Sequence, residues 1–128
     1  MQEAVPHIPE GGRVMLFSTS LTAASFVTPN YLLYVSTKGA IEQMTRVLAK
    51  DLGRRKITVN TISPGPIATD AFYEGKTEQI VKALEGFHPQ GRVGQPEEVA
   101  KAIVLVASGE SSWMNGVNFR INGGMTVG

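Results

Sequence analysis

Tyr34 and Lys38 stand four residues apart. On a helix, side chains at that spacing share one face, a turn apart. An ammonium beside a phenol favours the phenolate, because a nearby opposite charge stabilises the ionised form. Such a pair suits general acid/base work. The same spacing also suits a plain helix with one half-buried aromatic and one surface lysine. Two further clusters carry hydroxyls and turn residues. Ser18-Thr19-Ser20 follows the apolar run Val14-Met15-Leu16-Phe17, and Ser63-Pro64-Gly65-Pro66-Ile67-Ala68-Thr69 follows the β-branched run from Ile57 to Ile62. If both runs are parallel strands, both clusters lie beyond strand carboxyl ends, where open α/β sheets bind ligands. A serine there can donate to a substrate carbonyl and accept from the matching alcohol; a turn or cap cluster has the same composition. In the second cluster the prolines fix the backbone, and the glycine lets it approach a ligand closely.

To bring these side chains together, the chain must alternate strands and helices. Residues 1–8 read as the tail of a helix interrupted by Pro6 and Pro9, and Pro9-Glu10-Gly11-Gly12 as a turn. The continuous apolar run at Val14–Phe17 suits a strand covered on both faces. Residues 18–30 are a loop by composition. From about Leu32 to Leu52, Ala40, Ile41, Met44, Val47, Leu48 and Leu52 recur at helical spacing, with Glu42, Gln43, Arg46 and Lys50 between them. Gly53 sits where a helix stop is expected, and Arg54-Arg55-Lys56 reads as a solvated helix end. The Ile57–Ile62 run is the next strand, broken by Pro64-Gly65-Pro66. A helix is expected over about Thr77–Leu84. Another opens at Pro96-Glu97-Glu98, where proline suits the first position and the acids suit the positive dipole end. Val117–Ile121 alternates as a last strand. Helices between strands imply a mostly parallel sheet. Three strands are few for such a sheet, so the pattern reads as the end of a larger doubly wound domain.

Composition narrows the function classes. The chain has 128 residues, suited to one domain, and is 42% hydrophobic and 18% charged, as ordinary globular proteins are. Its net charge of +1 comes from scattered residues, so neither nucleic acid nor an anionic membrane is suggested as a partner. It has no cysteine, which excludes disulfides, thiolate metal sites and thiol nucleophiles and fits a cytoplasmic location. No apolar run is long enough for a spanning helix, and the N-terminus does not read as a signal peptide. His7 and His88 have no metal-ligand spacing and read as surface or loop histidines.

Five ordered blocks carry more than any single motif. GGRVMLFSTS, NYLLYVSTKGAIEQMTRVLAKDL, ITVNTISPGPIATD, GRVGQPEEVAKAIVLVAS and WMNGVNFRINGG follow one another in the chain. Together they resemble the second half of classical short-chain dehydrogenases/reductases, above all the 3-oxoacyl-carrier-protein-reductase-like members, over about residues 10–125. The resemblance implies an α/β fold, the C-terminal part of a Rossmann-type doubly wound parallel sheet with flanking helices. It implies one partial domain over residues 1–128 and a substrate lid over 68–92. It matches Tyr34 to the family's catalytic acid/base, and Lys38 to the lysine that favours its phenolate and bonds the nicotinamide ribose. Ser20 matches the serine that orients the substrate carbonyl, because Ser20-Leu21-Thr22-Ala23 resembles the family's Ser-Val-x-Gly/Ala stretch. Thr19 is its rival, since counting along the strand from Arg13 favours it by one position. Pro64, Gly65, Ile67 and Thr69 match the loop that packs on and bonds the nicotinamide carboxamide. The implied reaction is hydride transfer between nicotinamide C4 and a carbonyl carbon, with Tyr34 moving the oxygen's proton. The implied cofactor is NAD or NADP, with NADP favoured. The implied partners are a small carbonyl or alcohol substrate and further copies of the chain, meeting through the long helix and the C-terminal strand.

The sequence also departs from the family. It has no Gly-x-Gly, so the Gly-rich dinucleotide turn of the N-terminal βαβ half is missing. The family's Asn-Asn-Ala-Gly strand end and its active-site asparagine are missing as well. From this we expect an open edge on the first strand, weak NAD(P)H affinity and little turnover for the chain alone. The alternative is a non-catalytic truncated product, or an interaction module that pairs with full-length family subunits.

Overall fold

Three parallel strands, β1 (Arg13–Phe17), β2 (Thr58–Pro64) and β3 (Asn118–Ile121), form one sheet in the order β1-β2-β3. The computed structural model describes residues 3–127. The helices are α1 (Leu32–Leu52), α2 (Asp70–Tyr73), α3 (Glu78–Glu85) and α4 (Pro96–Ala107). In register, Arg13 lies beside Thr58 and Phe17 beside Ile62, while Thr61 lies beside Asn118 and Pro64 beside Ile121. β2 is the central strand and is buried from Thr58 to Ser63. Successive strand residues face opposite sides, and two cores follow. Val59 and the preceding Ile57 pack with Ala49 and Leu52 of α1. Ile62 packs with Val99 and Val106 of α4 on the other side. This is the expected α/β arrangement, a parallel sheet between helices. Along its outer side, β1 has no strand partner among the described residues.

The bounds of α1 agree with the expected helix, but its buried face does not. Thr45, Ala49 and Leu52 are its buried residues. Ala40, Met44 and Val47, half of the expected apolar stripe, face outward instead, with Val47 67% exposed. A period of 3.6 shows that a helix has a face, not which face the sheet covers. The stop falls at Gly53 as expected, since α1 ends at Leu52 with Gly53 as its C-cap. Gly53 stays right-handed at φ −60° and opens a 3-10 turn over Gly53–Arg55. Lys56 takes the left-handed turn at φ 56°. Nor is the basic run simply solvated. Arg55 donates to the carbonyls of Val5 (2.9 Å) and Ile8, and Lys56 pairs with Glu10 at 2.8 Å. The N-terminal segment is therefore fastened to the end of α1. Within it, Val5–His7 forms a 3-10 turn; Met1 and Gln2, part of the expected helix tail, lie outside the described residues.

α3 begins one residue later than expected, because Thr77 is its cap and accepts from the Ile80 N–H. α2 was not foreseen; Thr69 caps it by accepting from the Phe72 N–H at 3.2 Å. α4 opens at Pro96 as expected. Gln95 and Glu98 form a reciprocal capping box, which satisfies otherwise orphaned N–H groups. Asparagines then fix the entry to β3. Asn60 donates to the Met114 carbonyl (2.7 Å) and accepts from the Val117 N–H (3.0 Å). Asn115 accepts from the Val59 N–H at 2.8 Å.

Candidate active site

The loops beyond the carboxyl ends of the three strands gather most of the residues singled out above. Pro29 starts a 3-10 turn that runs directly into α1, setting Tyr34 and Lys38 on its first turns. Lys38 Nζ donates to the carbonyl of Phe17, the last residue of β1, at 3.0 Å. The same nitrogen lies 5.7 Å from the centre of the Tyr34 ring. Tyr34 is 43% exposed, so its phenol remains open to an incoming group.

The hydroxyl cluster after β1 divides by role. Ser18 Oγ donates to Glu42 at 2.7 Å, and Thr22 Oγ1 donates to the same carboxylate oxygen at 2.6 Å. Ser20 is fully buried, and its hydroxyl donates to the Ser63 carbonyl at 2.9 Å. That bond ties the end of β1 to the end of β2. Thr19 caps the 3-10 turn Ser20–Ala23 by accepting from the Leu21 N–H at 3.4 Å. No acceptor for the Thr19 hydroxyl proton is found among the described residues. Glu42 was read as a polar spacer, yet it anchors this loop to α1. The signal was available: Glu42 follows Lys38 by four residues, on the face that carries Tyr34.

The loop after β2 is held from two sides. Gly65 N–H donates to the Ile121 carbonyl at 3.0 Å. A Cβ on Gly65 would stand 2.9 Å from Asn122 Cβ. The glycine is therefore needed for the approach of the loop after β3, a neighbour that its expected role toward a ligand had left out. Ala68 N–H donates to the Gly94 carbonyl (2.8 Å) and Gly94 N–H to the Pro66 carbonyl (3.0 Å). These bonds bracket Ile67, whose own N–H has no acceptor among the described residues. Thr69 is committed to capping α2.

A cavity of about 120 Å³ opens beside this loop, lined by Pro66, Ile67, His88, Arg92, Glu98 and Asn122 among others. Arg92 and Glu98 form a two-pronged pair at 2.8 Å on each prong. The Arg92 guanidinium, with the Gln95 N–H, holds the Glu98 carboxyl down at a pKa of about 2. His88 corrects the reading of a surface histidine. It lies in a loop but is only 6% exposed, with Nδ1 3.0 Å from the Asn122 carbonyl oxygen. No sequence signal marked it, because its partner is a main-chain carbonyl 34 residues away.

The donor set fits a nicotinamide nucleotide. Lys38 has N–H groups to spare beyond its bond to Phe17, suited to sugar hydroxyls, and the Ile67 N–H is a main-chain donor suited to a carboxamide oxygen.

A family model described as enoyl-(acyl carrier protein) reductase matches residues 1–126. A short-chain type dehydrogenase/reductase of Picea abies is 43% identical over 114 residues, covering 89% of this chain and 41% of that protein. NADPH-dependent aldehyde reductase 2, chloroplastic, of Arabidopsis thaliana is 40% identical over 114 residues, with the same shares covered. Among solved structures, the angucycline C-6 ketoreductase LanV with bound NADP aligns at a TM-score of 0.89 and 29% identity, over 99% of this chain and 48% of LanV. The chain thus spans about half the length, or less, of these relatives.

Proposed function

The chain belongs to the short-chain dehydrogenase/reductase family of oxidoreductases, and from that premise we propose that it carries the proton-transfer side of an NAD(P)-dependent interconversion of carbonyls and alcohols. One observation supports this above the others. Lys38 and Tyr34 share a face of α1, with the Lys38 ammonium fixed on the last carbonyl of β1 and the phenol left open. Tyr34 gives a proton to the developing alkoxide in reduction and takes it back in oxidation. Lys38 holds the ribose and supports the charge on the phenolate side of that exchange. Ser20, with Thr19 as its rival, orients the carbonyl by hydrogen bonding. Pro64, Gly65, Ile67 and Thr69 frame the nicotinamide, with the Ile67 N–H as the free donor. The cofactor, when bound, supplies or receives the hydride. NADP is favoured over NAD, since the Arabidopsis relative is NADPH-dependent and LanV holds NADP. The substrate is a small carbonyl or alcohol.

Affinity for NADPH and turnover should both be low in this chain alone. The test is NADPH oxidation with a panel of small aldehydes and ketones at high protein and cofactor concentration. Y34F should lower the rate about 100-fold or more, as expected for loss of a general acid. A rate unchanged in Y34F would overturn the assignment. Saturable micromolar NADPH binding by fluorescence titration would overturn the expected weakness.

That β1 has no strand partner on its outer side among the described residues favours a second reading, an interaction module that pairs with full-length family subunits. Co-purification with such a subunit, together with indifference to Y34F, would select it.

A further inference from the structure

The segment after α3 rejoins the body of the molecule at Phe87-His88-Pro89, and there it meets the loops that follow all three strands. Phe87 stacks on Phe26 of the loop after β1, with ring centres 4.3 Å apart and planes 2° from parallel. The space for a Cβ at Gly65, after β2, is bounded by Asn122 at 2.9 Å and by His88 Cε1 at 3.5 Å. After β3, His88 Nδ1 lies 3.0 Å from the Asn122 carbonyl oxygen, and a Cβ on Gly124 would meet Pro89 Cγ at 3.3 Å. Glycines at 65, 123 and 124 leave room for this junction, and His88 is the buried ring at its centre.

A carbonyl oxygen can only accept, so Nδ1 of His88 carries the proton, and in that tautomer the lone pair sits on Nε2. Nε2 is buried and has no partner among the described residues. A ring kept only to fill space would be served by an apolar side chain, without the cost of burying an unpaired polar atom. We propose that His88 is a positioning residue. Its Nδ1–H bond to Asn122 fixes the loop after β3 against Gly65, and so sets the position of the Gly65–Thr69 loop. That this loop meets a nicotinamide rests on the functional reading above; the latch itself does not.

Two substitutions separate a latch from a filler. H88N keeps a side-chain N–H donor close to the Nδ1 position but loses volume. H88L keeps most of the volume but has no donor. The intact chain, labelled with ¹⁵N, should show His88 as the Nδ1–H tautomer in long-range ¹H–¹⁵N spectra. In H88L the amides of Gly65 and Gly124 should exchange with deuterium about five- to tenfold faster, the scale of one lost hydrogen bond. The amides of Val59 and Thr61 should not change. In H88N all four should stay within about threefold of the parent, since the donor is retained. An Nε2–H tautomer would overturn the latch. So would unchanged Gly65 and Gly124 exchange in H88L, or equal loss of protection in both variants. If H88L fails to fold, the tautomer of the parent and the behaviour of H88N still decide. None of these readouts needs a cofactor. A separate NADPH titration of the parent and H88L tests the functional reading: no binding by the parent counts against that reading and leaves the latch standing.

Discussion

Ser20 and Thr19 pose the sharpest question at the scale of single residues. Orienting a carbonyl requires a hydroxyl proton to donate. Ser20 already gives its proton to the Ser63 carbonyl, whereas Thr19 has no acceptor for its own among the described residues. S20A and T19V, assayed as NADPH oxidation, should therefore differ. If Ser20 orients substrate, S20A lowers kcat by about 10-fold or more and T19V has little effect; the reverse pattern assigns the role to Thr19. Gly65 offers a stability test. A methyl group there would stand 2.9 Å from Asn122 Cβ and 3.0 Å from Asn122 Cα, and main chain cannot yield as a flexible side chain does. G65A should cost about 1–3 kcal/mol, the usual scale of overpacking, measured as a shift in the urea midpoint. Tyr34 and Lys38 were legible in the sequence because both belong to one helix face. His88 and Asn122 were not, because their contact joins distant loops through a main-chain oxygen that every residue possesses.

At the scale of elements, the ends of helices were more legible than their faces. Pro96 and the acids after it marked the start of α4, since capping chemistry is local. Gly53 marked the end of α1 as well, although it keeps right-handed geometry and the left-handed turn comes at Lys56, beside Arg55, which reaches the N-terminal segment. The start of α4 also makes a pH prediction. The Glu98 carboxyl is held at a pKa of about 2, below its ordinary value of 4.5, first by Arg92 and then by the Gln95 N–H. A depressed acid stabilises the fold above its unfolded pKa, and that contribution fades as pH falls through the folded value. The stability gap between the parent and E98Q should therefore be constant above about pH 5 and shrink between 4.5 and about 2. Urea midpoints at several pH values measure it; a gap that widens on acidification would contradict the assignment. The group is exposed, so the gap should be small.

For the whole molecule, the order of strands and helices was enough to read the sheet as parallel, because crossovers through helices leave little choice. Which surfaces stay open was less legible. Leu33 is 78% exposed, and Met44 and Val47 of α1 face outward with it. We expect these residues, with β3, to join copies of the chain. Sedimentation should show species larger than a monomer, and V47K should shift them toward monomer. A sharp monomer of the parent chain would refute the arrangement.

The bond from Lys38 to the Phe17 carbonyl lies on the outer side of β1, which has no strand partner among the described residues. The Gly12 carbonyl and the Ser18 N–H reach toward β2. Alternation then turns the main-chain groups of Arg13, Met15 and Phe17 the other way. Lys38 already occupies the outward carbonyl of Phe17. A strand laid along this border would meet the outward groups of Arg13 and Met15 and, at Phe17, a carbonyl that already accepts one of the two hydrogen bonds it can take. The same ammonium therefore stands at this border of the sheet as well as on the face of α1 that carries Tyr34.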